Sequence, residues 1–145
     1  MNWETKTKTA DEFVRFVEEH HTGKGFNKSW TQKHFEAVAK HLDDDEFAHV
    51  AFIGLINYRA VDANDKNYAY LLTNKRLLMA QKKVIGEKSR SIDLDDITNV
   101  WYEDANPFGV ITFEAERKRL NIGVVRSDAQ NVYDLILPHL ENQEE

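Results

Sequence analysis

The chain contains no cysteine among its 145 residues. Disulfides, thiol catalysis and cysteine-ligated metal centres are therefore excluded, and the composition suits a compartment in which a small domain needs no covalent staples. Long apolar stretches are missing as well. The longest, residues 50–56, is seven residues, far short of the roughly 20 that a membrane-spanning helix requires. Residues 1–6 show neither the basic cluster nor the apolar core of a secretory leader, which predicts a cytoplasmic protein. Positive charge is in short supply: 19 Lys and Arg stand against 25 Asp and Glu, a net charge of −6. Duplex affinity rests on neutralising phosphates with Lys and Arg, so no nucleic-acid partner is expected. Residues 1–74 carry 9 basic and 12 acidic side chains and residues 75–145 carry 10 and 13, so each half sits at −3 and neither is a charged tail. Any basic site must be assembled by folding.

What is present is one domain's worth of chain, with 41% hydrophobic and 30% charged residues, the balance of an ordinary globular protein. The first 46 residues read as helical. Thr9-Ala10-Asp11-Glu12 has the spacing of a capping box, and Phe13, Phe16, Val17 and His20 follow on one helical face. Gly23 and Gly25 interrupt that helix. Ser29 and Gln32 form a second possible capping box ahead of the stripe Phe35, Val38, Ala39 and Leu42, which Asp43 to Glu46 ends. From residue 47 to 126 the period becomes that of strands, expected at 50–56, 68–73, 77–81, 91–94, 98–102, 109–114 and 119–125. The first is apolar at nearly every position, as in a strand covered on both faces, with the N-terminal helices as candidates for the second cover and Gly54 as a possible bend. Ile92 and Leu94, then Leu120, Ile122 and Val124, alternate with polar residues, so those strands show one face to solvent. Asn74-Lys75-Arg76 reads as a short hairpin loop, with Asn tolerating a positive φ. Strands joined by short turns without intervening helices exclude a parallel sheet.

A last capping-box pattern, Ser127-Asp128-Ala129-Gln130, opens a helix with the apolar face Val132, Leu135, Ile136 and Leu140, which Pro138 should kink or end near Leu137. The fold class expected is therefore mainly β with helices (α+β). Residues 47–145 should form a closed, seven-stranded antiparallel barrel sealed by the C-terminal helix, and residues 1–46 a two-helix N-terminal extension.

Two segments carry a family likeness. Tyr70-Leu71-Leu72-Thr73-Asn74-Lys75-Arg76-Leu77-Leu78-Met79 resembles the second hairpin of bacterial pleckstrin-homology-like domains, in particular the YokE-like group. Ser91-Ile92-Asp93-Leu94-Asp95-Asp96-Ile97-Thr98-Asn99-Val100 is similar to the turn into the fifth strand of the same group. The likeness covers roughly residues 43–140 and implies a PH-type barrel of seven strands with a capping helix. It implies little about activity, since the same superfold hosts lipid, peptide and protein binders.

Motifs for chemistry are sparse. Gly23-Lys24-Gly25-Phe26-Asn27-Lys28-Ser29 has a faint phosphate-loop look, but it follows a helix rather than a strand and Asn27 replaces the required glycine. His20, His21, His34 and His41 lack the convergent spacing of a zinc site, and neither acidic run has the alternating oxygen ligands of a calcium loop. None of Ser29, Ser89, Ser91 and Ser127 lies in a nucleophile elbow. No cofactor, no metal and no catalytic residue is expected.

The one constellation to follow is basic. The resemblance implies that the loops after the first, third and sixth strands open at one end, where eukaryotic relatives hold their ligands. Here the loop over 82–90 carries Lys82, Lys83, Lys88 and Arg90 against Glu87, and the loop over 116–119 carries Arg117, Lys118 and Arg119 against Glu116. The loop after the first strand balances Arg59 and Lys66 with Asp62 and Asp65. The expected function is a non-catalytic interaction module that binds a protein partner or a second copy, exposed sheet edges being ready recruiters of strands. The alternative is recognition of an anionic ligand or membrane surface through the seven basic residues.

Overall fold

The computed structural model describes residues 6–105 and 107–141; of the stretch read for a leader only Lys6 lies among them. Two helices, α1 (Ala10–His20) and α2 (Lys28–Ala39), precede seven strands: β1 (Ala48–Ile56), β2 (Asn67–Thr73), β3 (Arg76–Lys82), β4 (Glu87–Asp93), β5 (Ile97–Ala105), β6 (Phe108–Ala115) and β7 (Lys118–Val125). A 3-10 turn over Leu94–Asp96 joins β4 to β5, and α3 (Arg126–Glu141) closes the chain. Every strand pair is antiparallel, in the order β4-β3-β2-β1-β7-β6-β5. The sheet is thus curled but not closed, contrary to the barrel expected from sequence: among the described residues β4 and β5 share no ladder. Two half-sheets, β1–β4 and β5–β7, meet along a short seam where Leu55 faces Gly123 and Ile56 faces Ile122.

The absence of a side chain at Gly54 permits this crossing, because a Cβ there would lie 2.5 Å from Ile122 Cγ2. The concave side holds the core, with Phe52 stacked on Tyr70 at 4.7 Å and Ile111, Phe113, Leu120 and Ile122 contributed by the second half-sheet. Tyr70 is fully buried, and its hydroxyl donates to the Gly54 carbonyl at 3.1 Å. Helices α1 and α2 cover the convex face of β1–β3, which explains why those strands are apolar on both faces. α3 packs on β5, β6, β7 and β1, plugging the curl at the end where β7 finishes; Tyr102 approaches Tyr133 at 6.0 Å.

Because β7 pairs with only two residues of β1, the remainder of that edge needs other partners. The N-terminal segment supplies them. Thr7 and Ala48 exchange backbone bonds of 3.1 and 2.8 Å, the Ile53 amide donates to the Thr22 carbonyl, and the buried Thr22 hydroxyl donates to the Ala51 carbonyl at 2.7 Å.

A second tie holds the β2–β3 hairpin against residues 41–47. Glu46 is fully buried, and its carboxylate accepts from Arg76 Nε at 3.0 Å, Arg76 Nη2 at 2.9 Å, the Thr73 hydroxyl at 2.6 Å and the Asp43 amide at 3.1 Å. Asn74 does not use its tolerance for positive φ; its side chain accepts from the Phe47 amide and donates to the Asp45 carbonyl. Lys75 pairs with Asp43 and Asp45. The acidic run is the hairpin's counterpart.

Three helix expectations need correction. α2 begins at Lys28 with Asn27 as its cap, accepting from the Trp30 amide at 2.7 Å, so Ser29 lies inside the helix. Asn and Ser are about equally good caps, and here the extended backbone falls at Asn27. α3 already starts at Arg126, and Asp128, rather than capping with its neighbours, accepts from the Lys24 amide at 2.7 Å. Pro138 does not end α3; it sits in the last turns, where it forfeits one amide bond while the helix runs on to Glu141. The capping box of Thr9 and Glu12 is formed as expected.

Thr22→Val keeps the shape but removes the donor to Ala51, and should cost about 1–3 kcal/mol in urea unfolding, whereas Thr22→Ser should retain most of the stability. Burial would push the Glu46 carboxyl up, but Arg76, Thr73 and the Asp43 amide outweigh it and hold the group below its ordinary value. Its contribution to stability is therefore complete above the usual carboxylate range and is lost as pH falls through the depressed folded value. Glu46→Ala should cost about 3 kcal/mol at pH 7 and flatten the acid limb of the stability profile, read by denaturant titrations from pH 7 to 3.

Candidate functional site

The end of β1, the start of β2, the hairpin between β3 and β4 and the hairpin between β6 and β7 lie together, at the opposite end from the start of α3. Two of the sites expected in loops are instead set by strand pairing. β4 begins at Glu87, earlier than the polar sequence signals, and places Lys88 opposite Gln81 and Arg90 opposite Met79. Ile92, two residues on and opposite Leu77, packs against the core, so Lys88 and Arg90 share its concave side. Lys118 and Arg119 belong to β7, not to the loop; Glu116 and Arg117 alone make that turn, Glu116 at φ 36°.

Neighbouring strand residues point to opposite faces, and this separates the predicted patch. Arg119 turns outward, its Nε 3.3 Å from Glu114 and its guanidinium 5.4 Å from the Trp101 ring centre. Lys82 stands opposite Glu87 on the helix-covered side. The others gather around two cavities that share Arg90. One, of about 710 Å³, lies between β4 and the β6–β7 hairpin; it brings Arg90, Arg117 and Lys118 together, with Arg119 also on its border, but sets Asp93, Asp96 and Glu116 beside them. The other, of about 550 Å³, lies between the β1–β2 and β3–β4 connections. Lys66, Lys83, Lys88 and Arg90 line it against a single carboxylate, Asp65, which itself accepts from Asn57 Nδ2 at 2.6 Å.

Tyr68 and Ser89 add hydroxyls to this second wall. Burial pushes the Tyr68 phenol above its ordinary value, and the nearby Arg90 charge only partly offsets that, so it stays a proton donor at neutral pH. Among the described residues, none of Lys66, Lys83, Lys88 and Arg90 enters an ion pair. Lys66 was missed at the sequence level because its loop counts as neutral there. Its approach to Lys83 and Lys88 depends on strand order, which no charge count contains.

The remaining candidates take structural roles. The Gly23–Ser29 stretch offers its Lys24 amide to Asp128, leaving a carboxylate where a phosphate oxygen would sit. His20 stacks on Phe16 at 4.0 Å, His34 on Trp30 at 3.6 Å, and His41 Nε2 lies 3.1 Å from Glu87. Burial lowers the His34 pKa, partly offset by its contact with the Trp30 carbonyl.

A curled antiparallel sheet of seven strands, plugged by a C-terminal helix and open to loops at the other end, defines a PH-like module. Residues 42–137 match the family model for bacterial PH domains, and the chain belongs to that family. Among solved structures it is similar to a DUF1696 family protein with a pleckstrin-homology domain from Shewanella loihica PV-4, at 16% identity and TM-score 0.46 over 74% of this chain and 90% of that one. It is also similar to autoinhibited Vav1, at 10% identity and TM-score 0.51 over 92% of this chain and 23% of that one. No curated protein matches in sequence.

Proposed function

We propose that the chain is a non-catalytic binding module whose ligand end is the 550 Å³ cavity, and that it recognises an anionic, phosphate-like group there. The observation that supports this most is the convergence of Lys66, Lys83, Lys88 and Arg90 on one concavity with Asp65 as its sole carboxylate. Four unpaired cations held close repel one another, and an anion between them relieves that repulsion. Strand pairing fixes Lys88 and Arg90 two residues apart on one face, so the charges are positioned before a ligand arrives. Of the two readings that the sequence leaves open, this geometry favours the anionic ligand.

The protein-partner reading keeps one specific support. Among the described residues β4 is hydrogen-bonded to β3 alone and β5 to β6 alone, so each offers an edge to an added strand or to a second copy. Light scattering at 10–100 μM separates the cases for self-association: a monomer throughout counts against it.

The anion site is tested by calorimetric titration with inorganic triphosphate. Binding should weaken at least tenfold between about 50 and 200 mM salt, and Lys88→Glu with Arg90→Glu should abolish it. Lys118→Glu with Arg119→Glu should leave it within about threefold, because neither residue lines this cavity. No heat of binding at low salt removes the proposal.

A further inference from the structure

Among the described residues, three large hydrophobic side chains are exposed: Val84 at 103%, Ile85 at 91% and Val61 at 56%. All three lie at the basic end, two of them adjacent at the tip of the β3–β4 hairpin and the third in the β1–β2 connection. A single exposed aliphatic needs no explanation, and polar residues would serve a solvated hairpin tip better. Two neighbouring β-branched side chains with no packing partner at the outermost point of a rigid hairpin are a different matter.

The hairpin is rigid by construction. The Lys83 amide donates to the Gly86 carbonyl at 3.0 Å, Gly86 takes φ 77°, and Lys82 pairs in register with Glu87. Glu87 is the only acid over residues 76–92, and it is engaged on the helix side by Lys40 at 3.3 Å and His41 at 3.1 Å. Lys82, Lys83 and Lys88 flank the apolar tip, and among the described residues none of them enters an ion pair.

We infer that the β3–β4 tip is a membrane wedge: Val84 and Ile85 enter the acyl boundary of an anionic bilayer while Lys82, Lys83, Lys88 and Lys66 meet its headgroups. The inference rests on the reading of the neighbouring cavity as an anion site, whose lipid source it specifies. Strand rise is about 3.3 Å per residue, so the lysines sit roughly 3–10 Å behind the tip, the depth that separates headgroups from the first methylenes. A protein partner fits less well, since a stable protein interface needs about 800 Å² per side and two side chains on a protruding tip supply a small fraction of that. A bilayer requires no matching surface.

The test uses sedimentation with vesicles of phosphatidylcholine alone or with about one-third phosphatidylglycerol, alongside the triphosphate titration. The intact chain should bind the anionic vesicles only, and each lysine near the surface should contribute about fivefold. Val84→Ser with Ile85→Ser should weaken vesicle binding about 30-fold while leaving triphosphate binding and the thermal midpoint unchanged, because the tip packs against nothing. Ile85→Trp should gain a blue-shifted emission component on anionic vesicles that brominated acyl chains quench. If the serine variant binds vesicles like the intact chain, or the new Trp stays unshifted, the wedge is wrong and the anion site stands. Triphosphate binding without vesicle binding has the same meaning. Failure to bind either probe at low salt overturns both.

Discussion

The arrangement depends on the need of β1 for partners along both edges. A buried strand cannot leave amides and carbonyls unpaired, yet β7 accompanies β1 for only two residues before veering across the concave side. The vacated edge is taken by Thr7 and Thr22, which belong to the helical segment. This is why α1 and α2 are more than an appendage. They cover the convex face of β1–β3 and complete the main-chain pairing of the strand on which both half-sheets hang.

The two ends of the sheet are then stabilised by opposite means. At the β2–β3 turn each residue of Thr73-Asn74-Lys75-Arg76 reaches into residues 41–47, so negative charge there is consumed internally by Arg76 and Lys75. At the far end Lys66, Lys83, Lys88 and Arg90 have no such recipients. A chain with a net charge of −6 thus neutralises acids where the fold is fastened and leaves cations free where it is open. Glu87, the acid nearest the β3–β4 tip, is committed to α2 through Lys40 and His41 rather than to the lysines around that tip.

Much of this was readable in the residues. The doubly apolar β1 announced a strand with two covers, the alternation in β7 a strand with one, and the Leu-Thr-Asn-Lys-Arg segment the hairpin of a bacterial PH domain. β4 was placed too late because an edge strand whose side chains are mostly exposed has no hydrophobic period to reveal it. The cap of α2 was misassigned because Asn27 and Ser29 are both competent and only backbone geometry chooses between them. The patch was half right for a similar reason. Seven basic positions could be counted, but strand parity turned the Arg119 guanidinium to Glu114 and Trp101, and only the pairing order brought Lys66 across to Lys83. Closure of the barrel failed because nothing local encodes whether the first and last edges of a curl come within bonding distance.

That unclosed edge has a mechanical meaning. In a ring whose every neighbour is joined by main-chain bonds, the bore is set by strand number and stagger and cannot change without breaking ladders. Here the gap from β4 across to the β6–β7 hairpin is spanned by side chains alone, among them Ile92, Phe113 and Leu120. Rotamers, not hydrogen bonds, set its width, so the aperture beside Arg90 can dilate at the cost of repacking a few apolar side chains.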